Sequence, residues 1–256
     1  LAERDPPACN YSGCSRHGVC PTRPHWRPAV GYQPCCSAEM SRDALPTEFA
    51  IFPLPGALLL PGGKLPLNIF ERRYLAMIDD ALSSGRVIGM IQPDELRPAT
   101  PSGPALYRVG CLGRLSSFSE ADDGRYLITL TGVIRFTIAV ELELQRGYRR
   151  VRADLSRYRS DLDTDTVAVP LGRDRLMTAL RAYFTTRGFD ANWDMINEMP
   201  DDQLVTTLAM VCPFDPAEKQ ALMEAPGLAD RAATLLTLLQ MGAHAPDDTR
   251  QGRQAS

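Results

Sequence analysis

The chain has 256 residues, of which 44% are hydrophobic and 23% charged, and its formal net charge is −3. At roughly 150 residues per domain this length fits one large domain or two modest ones, and such a chain can bury a sufficient core without metal or disulfide support. The near balance of charge argues against a nucleic-acid partner, because the basic stretch Arg146, Arg149, Arg150, Arg152, Arg157 and Arg159 is offset by Glu141, Glu143, Asp154, Asp161 and Asp163.

The apolar runs Ala57–Leu60 and Leu235–Leu239 fall far short of the roughly 20 residues that cross a bilayer, and no secretion signal opens the chain. A soluble cytoplasmic protein with no membrane partner is expected. Residues 1–39 stand apart, with five of the seven cysteines, six prolines and two of the three histidines, but little apolar periodicity. Cys9, Cys14, Cys20, Cys35 and Cys36, with His17 and His25, are of the types that bind zinc. No paired CxxC knuckle is present, however, and adjacent cysteines do not readily take two corners of one tetrahedron. A small disulfide module is a second alternative. The favoured expectation is a disordered or non-native extension, with Met40 as the start of the orderly sequence and no metal or cofactor.

From Phe49 the pattern is that of strands. Phe49–Gly56 and Ala57–Leu60 read as two short strands before the turn Pro61-Gly62-Gly63, and Phe70–Leu82 carries an apolar stripe of helical period that ends at Gly85. Arg86–Ile91 is a strand, and the four prolines between Pro93 and Pro104 mark a surface loop. Leu106–Phe118, Arg125–Thr131 and Val133–Leu142 alternate as half-buried strands of a meander, extended by Tyr148–Tyr158, with Gly132 at a bulge or sharp bend.

Beyond Asp161 the period becomes helical. Residues 161–172 read as a linker, followed by helices over Asp174–Arg187, Ala191–Glu198, Asp201–Val211, Pro216–Glu224 and Leu228–Met241. Asp215, Pro216 and Glu218 form a cap, a first-turn proline and the far half of a capping box. The organisation expected is a strand-rich part over 49–160, a helical part over 161–241 and a flexible tail over 242–256.

The chain offers little catalytic chemistry. Gly56–Lys64 resembles a phosphate loop only superficially, since Leu58 and Leu65 stand where a glycine and a Ser or Thr are needed. No GxSxG elbow or HExxH helix occurs, and His244 is the one histidine outside the head. The acid pairs Asp79/Asp80, Asp122/Asp123 and Asp201/Asp202 suit turns and caps, while Cys111 and Cys212 read as buried small apolar residues. No catalytic residue is assigned. Tyr183, Phe184 and Trp193 are candidate peptide contacts, although helix packing is the commoner use of such residues.

The segment Phe52-Pro-Leu-Pro-Gly-Ala-Leu-Leu-Leu-Pro-Gly-Gly-Lys-Leu-Pro-Leu-Asn-Ile-Phe-Glu-Arg-Arg-Tyr74 resembles the signature of the LON N-terminal domain, the substrate-binding domain of ATP-dependent Lon proteases and of stand-alone bacterial proteins. Asp123-Gly124-Arg125-Tyr126, Leu130-Thr131-Gly132, Arg135-Phe136 and the Glu218–Glu224 segment agree with it. The resemblance implies an α+β fold, a PUA-like β-rich pseudobarrel followed by a helical bundle. It makes Pro53, Pro61, Gly62, Pro66, Phe70, Glu71, Arg73, Tyr74 and Gly132 mainly structural, with Glu71 and Arg73 open to pairing with neighbouring strands or loops. It also implies recognition of unfolded or tagged polypeptides in protein quality control, with a protease or chaperone as a further partner. No ATPase or protease activity is expected. A structural or assembly factor, and a small-molecule-binding protein or enzyme with an unrecognised cleft, are the alternatives.

Overall fold

The computed structural model describes residues 45–163 and 172–244. The cysteine-rich head, most of the expected linker and nearly all of the tail lie outside these residues. The first half forms one mixed sheet from β1 (Glu48–Pro53), β2 (Lys64–Ile69), β3 (Val87–Ile91), β4 (Val109–Glu120), β5 (Tyr126–Gln145) and β6 (Tyr148–Asp154), with α1 (Arg72–Ser83) between β2 and β3. Strand order is β2-β5-β4-β3-β1-β6, and β6 pairs with β5 as well as β1. The β1–β3 pair is parallel and every other named pair is antiparallel.

The alternation read from the sequence selects the faces. Ile128, Leu130, Ile134 and Phe136 are buried, and Phe136 meets Phe49 edge-on at 5.0 Å between ring centroids. The two strand segments expected on either side of Gly132 are one continuous strand, in which Gly113 pairs with Gly132 but Leu112 pairs with Ile134. Val133 is thus the extra residue of a bulge. Glycine is required beside it because a Cβ on Gly132 would lie 2.0 Å from the carbonyl oxygen of Leu60.

Two elements differ from those expected. Ala57–Leu60 is not a strand. Leu58, Leu59 and Leu60 are at most 1% exposed, each a burial of about 1.5–3 kcal/mol, but their run is held by a bridge from Pro61 to Gly132 and by turns. A four-residue apolar run fits a buried crossing loop as well as a strand. Conversely β2 is a strand in a stretch to which the sequence reading assigns no element, and it has Pro66 at its centre. It pairs with β5 on one side only, which leaves the opposite edge free to accommodate a residue that lacks an N–H.

After β6 a 3-10 turn, Ser156–Leu162, leads towards the helices α2 (Arg173–Arg187), α3 (Trp193–Glu198), α4 (Asp201–Val211), α5 (Pro216–Glu224) and α6 (Leu228–His244). The start of α5 is the capping box read from the sequence, with the Asp215 N–H donating to the Glu218 carboxylate at 2.8 Å. Polar side chains bind α5 to the sheet. Lys219 donates to the Gly56 carbonyl at 2.6 Å, and Gln220 donates to the Val109 carbonyl at 3.1 Å while accepting from Gln92. Burial lowers the Lys219 pKa from its usual value. The arrangement is an α+β fold: a mixed sheet followed by helices packed on it.

Candidate functional site

Six of the nine motif residues fall into two groups. Pro61, Gly62 and Gly132 build the loop crossing, where Gly62 adopts a positive φ of 77° and donates to the Gly132 carbonyl at 3.0 Å. Pro53, Arg73 and Tyr74, with Pro55, Pro93 and Pro104, line a cleft of about 300 Å³ beside Arg149. Tyr74 packs on Phe52 with ring centroids 4.3 Å apart, and burial raises its pKa. Glu71 and Arg73 pair with each other at 2.8 Å rather than with a neighbouring strand or loop. Two residues on one side of a helix start satisfy one another without help from the fold. Phe70, grouped with the structural residues, is 66% exposed, because α1 begins at Arg72 and its buried face starts with Tyr74.

The aromatic candidates come together at the junction of α2 and α3. Gly188 ends α2 in the left-handed conformation, its N–H directed at the Thr185 carbonyl, and Phe189 N–H bonds the Phe184 carbonyl at 2.9 Å. This is the Schellman arrangement, whose usual hydrophobic contact is supplied here by Phe184 and Phe189, 5.8 Å apart and edge to face. Trp193 lies 5.7 Å from Phe184 and beneath the Arg181 guanidinium, 4.2 Å from its charge centre.

Tyr183 is 1% exposed and so underlies this surface instead of facing a ligand; it packs against Phe184, Phe189 and Phe214. The reason is α6, which lies so close that a Cβ on Gly242 would meet the Tyr183 ring at 2.4 Å. Phe184 and Trp193 are half-buried, and they are joined by two exposed residues that the sequence reading did not single out, Phe189 and Met195.

The helix α3 carries Trp193, Met195 and Ile196 yet contributes no buried residue. Polar struts hold it from both ends. The Asn192 side chain accepts from Met195 N–H at 3.2 Å, and Arg173 donates to the carbonyls of Ile196, Asn197 and Met199 and pairs with Asp201. An apolar surface fixed by polar contacts at its margins remains open at its centre. The sequence signal for this was the Gly188-Phe189 pair after a basic last turn, which marks a helix end with an apolar residue folded back.

Several of the other titratable groups are engaged structurally. Asp79 accepts from Tyr126, Asp80 from Tyr148, Gln145 and Arg146, and Asp123 from Arg125. Cys111 and Cys212 are buried free thiols, each pushed up to about 12 by desolvation. Among the described residues no group of His, Cys, Asp and Glu is placed to hold a metal ion, and no helix is long and apolar enough to cross a membrane.

Residues 48–241 match the family model described as the ATP-dependent protease La (LON) substrate-binding domain. The Lon protease of Anaeromyxobacter dehalogenans is 27% identical over 135 residues, which covers 52% of this chain and 16% of that protein. The Lon protease of Flavobacterium johnsoniae is 22% identical over 204 residues, 79% of this chain and 25% of that protein. The chain therefore spans a quarter or less of these curated relatives. Among solved structures, the Lon N-terminal domain protein from Xanthomonas campestris aligns with a TM-score of 0.53 at 23% identity, covering 74% of this chain and 97% of that one. The N-terminal domain of the Mycobacterium avium complex Lon protease aligns equally well, at 15% identity. At these identities the likeness is one of fold.

Proposed function

The chain belongs to the LON substrate-binding domain family, and from that membership we propose that it recognises unfolded or tagged polypeptides without cleaving them or hydrolysing ATP. The contact surface in this reading is the patch of Phe184, Phe189, Trp193 and Met195. The observation that carries it is α3, whose apolar residues stay unburied although the helix is firmly anchored. Rigid aromatic rings give large contact area at low entropic cost, and an exposed methionine adapts to varied apolar partners. Clients bound there would pass to a separate protease or chaperone. The strand half, in the same reading, is a PUA-like pseudobarrel; the pairing of β6 with both β1 and β5 supports it.

The test uses the full chain and one client protein in two forms, native and reduced with its thiols blocked. Preferential retention of the unfolded form is expected, weakened about tenfold by Phe189→Ser with Met195→Ser, as for loss of central contact residues. Equal retention of both client forms would overturn the function. Unfolded-form preference that survives the double substitution would keep the function and move the site.

A further inference from the structure

A second concavity, of about 250 Å³, lies between β1, β6 and α1, distinct from the aromatic patch. Met77, Ala81, Val87 and Phe49, all at most 5% exposed, contribute to its apolar wall, and Glu48, Asp80, Gln145, Tyr148 and Arg150 contribute polar groups. An apolar wall with a few convergent polar groups is the usual construction of a small-ligand site, and the volume is just below the roughly 300–1,000 Å³ range of drug-sized pockets.

Each of the two acids in the lining is paired with an arginine outside it. Asp80 is matched by Arg146 at 2.7 Å and also accepts from Tyr148 at 2.7 Å and Gln145 at 3.2 Å. Glu48 is matched by Arg152 at 2.7 Å. Arg150 is the least engaged of these arginines: its one carboxylate contact, with the second oxygen of Glu48, is 4.0 Å long, beyond hydrogen-bond reach, and its side chain is 33% exposed. No hydrogen bond joins its five donors to any described residue. A guanidinium whose nitrogens reach solvent and make no hydrogen bond within the protein is open to an anion, and its fork geometry matches a carboxylate.

We propose that this cavity binds a carboxylate carrying a compact apolar group, with Arg150 holding the carboxylate and the apolar group lying against the wall near Met77 and Ala81. The carboxylate could belong to a free small acid or to the C-terminus of a peptide. The two sources share the chemistry, and the site is independent of the polypeptide surface on α2 and α3.

The test is a nuclear magnetic resonance titration of the full chain with four probes: 4-methylpentanoate, its neutral amide, an N-acetylated tripeptide ending in leucine, and the same tripeptide as its C-terminal amide. Saturable shifts confined to residues lining the cavity are expected with at least one carboxylate probe and not with its amide. Which carboxylate acts identifies the source. Arg150→Gln should weaken binding by about tenfold or more, as loss of a charge-assisted contact predicts. Ala50→Leu, directly across the β1–β6 ladder from Arg150, should block the cavity while retaining the charge. Equal response to acid and amide, binding undiminished in both variants, or no saturable response to either carboxylate overturns the proposal. If Arg150→Gln fails to fold, Ala50→Leu decides.

Discussion

Arg135 and Asp161 meet through two parallel contacts, Nε to Oδ2 at 2.8 Å and Nη2 to Oδ1 at 2.7 Å, with both side chains nearly sealed from solvent. The same guanidinium donates to the carbonyls of Met223, Ala225 and Pro226 and lies 4.3 Å from the centre of the Tyr158 ring. One side chain on β5 therefore serves the 3-10 turn and the α5–α6 connection together. Arg135→Met would strand a buried carboxylate and three carbonyls, at a cost of about 3–5 kcal/mol. Urea unfolding measures it, and a loss below about 1 kcal/mol would contradict this role. Adding Asp161→Leu should recover part of the loss, because the stranded charge is then removed as well.

Gly132→Ala places a methyl group against the Leu60 carbonyl, which belongs to backbone and cannot swing away. We expect a loss of about 3 kcal/mol or more, at the upper end for overpacking. Gly124, at φ 79° with open space around it, supplies the contrast: alanine there should cost only the about 1–2 kcal/mol of a left-handed backbone. Similar melting temperatures for the two variants would be the wrong result.

The Asp80 carboxyl titrates below its ordinary value of 3.8, chiefly because Tyr148 donates to it and then through Arg146, while burial opposes the shift. A depressed carboxyl contributes stability in full above pH 3.8 and loses it as pH falls through the lower folded value. Burial and the same contact raise Tyr148 to about 12, so its hydroxyl remains the donor at neutral pH. Tyr148→Phe should move the Asp80 midpoint up towards 3.8 in a carboxyl-carbon titration. An unmoved midpoint would assign the depression to Arg146 and Gln145.

Pro66 lies on the open side of β2. The bond from Gly132 N–H to the Gly63 carbonyl sets the alternation, so Leu65, Leu67 and Ile69 bond β5 while Lys64, Pro66 and Asn68 direct their backbone groups outward. Proline removes the central donor of that edge and the lysine adds charge, both known ways of discouraging strand addition. Pro66→Val should retain the fold but sediment with greater concentration dependence than the parent. Identical sedimentation would mean that the edge is protected by other means.

Where the sequence specifies backbone chemistry, the structure follows it closely: the Asp215 box starts α5, and the alternation from Tyr126 to Ile138 selects the buried face. The reading failed where tertiary contacts decide. Arg135 looked like the outward member of an alternating strand, and it does face away from Ile134 and Phe136, but the α5–α6 connection covers that face. The strand around Pro66 went unassigned because a central proline fits a strand only at a sheet edge, and edge position is set by the tertiary fold. Of the aromatic candidates, Phe184 and Trp193 reach the surface, whereas the burial of Tyr183 depends on how closely α6 approaches at Gly242, a distance that no local pattern encodes.

The Gln220 amide, shared between Val109 of β4, Gln92 and Glu224, makes the boundary between strands and helices unlike a domain border. A cut between β6 and α2 followed by separation would strip acceptors and donors from apolar surroundings on both pieces, so neither fragment retains a satisfied interior. The halves are therefore expected to melt in a single transition.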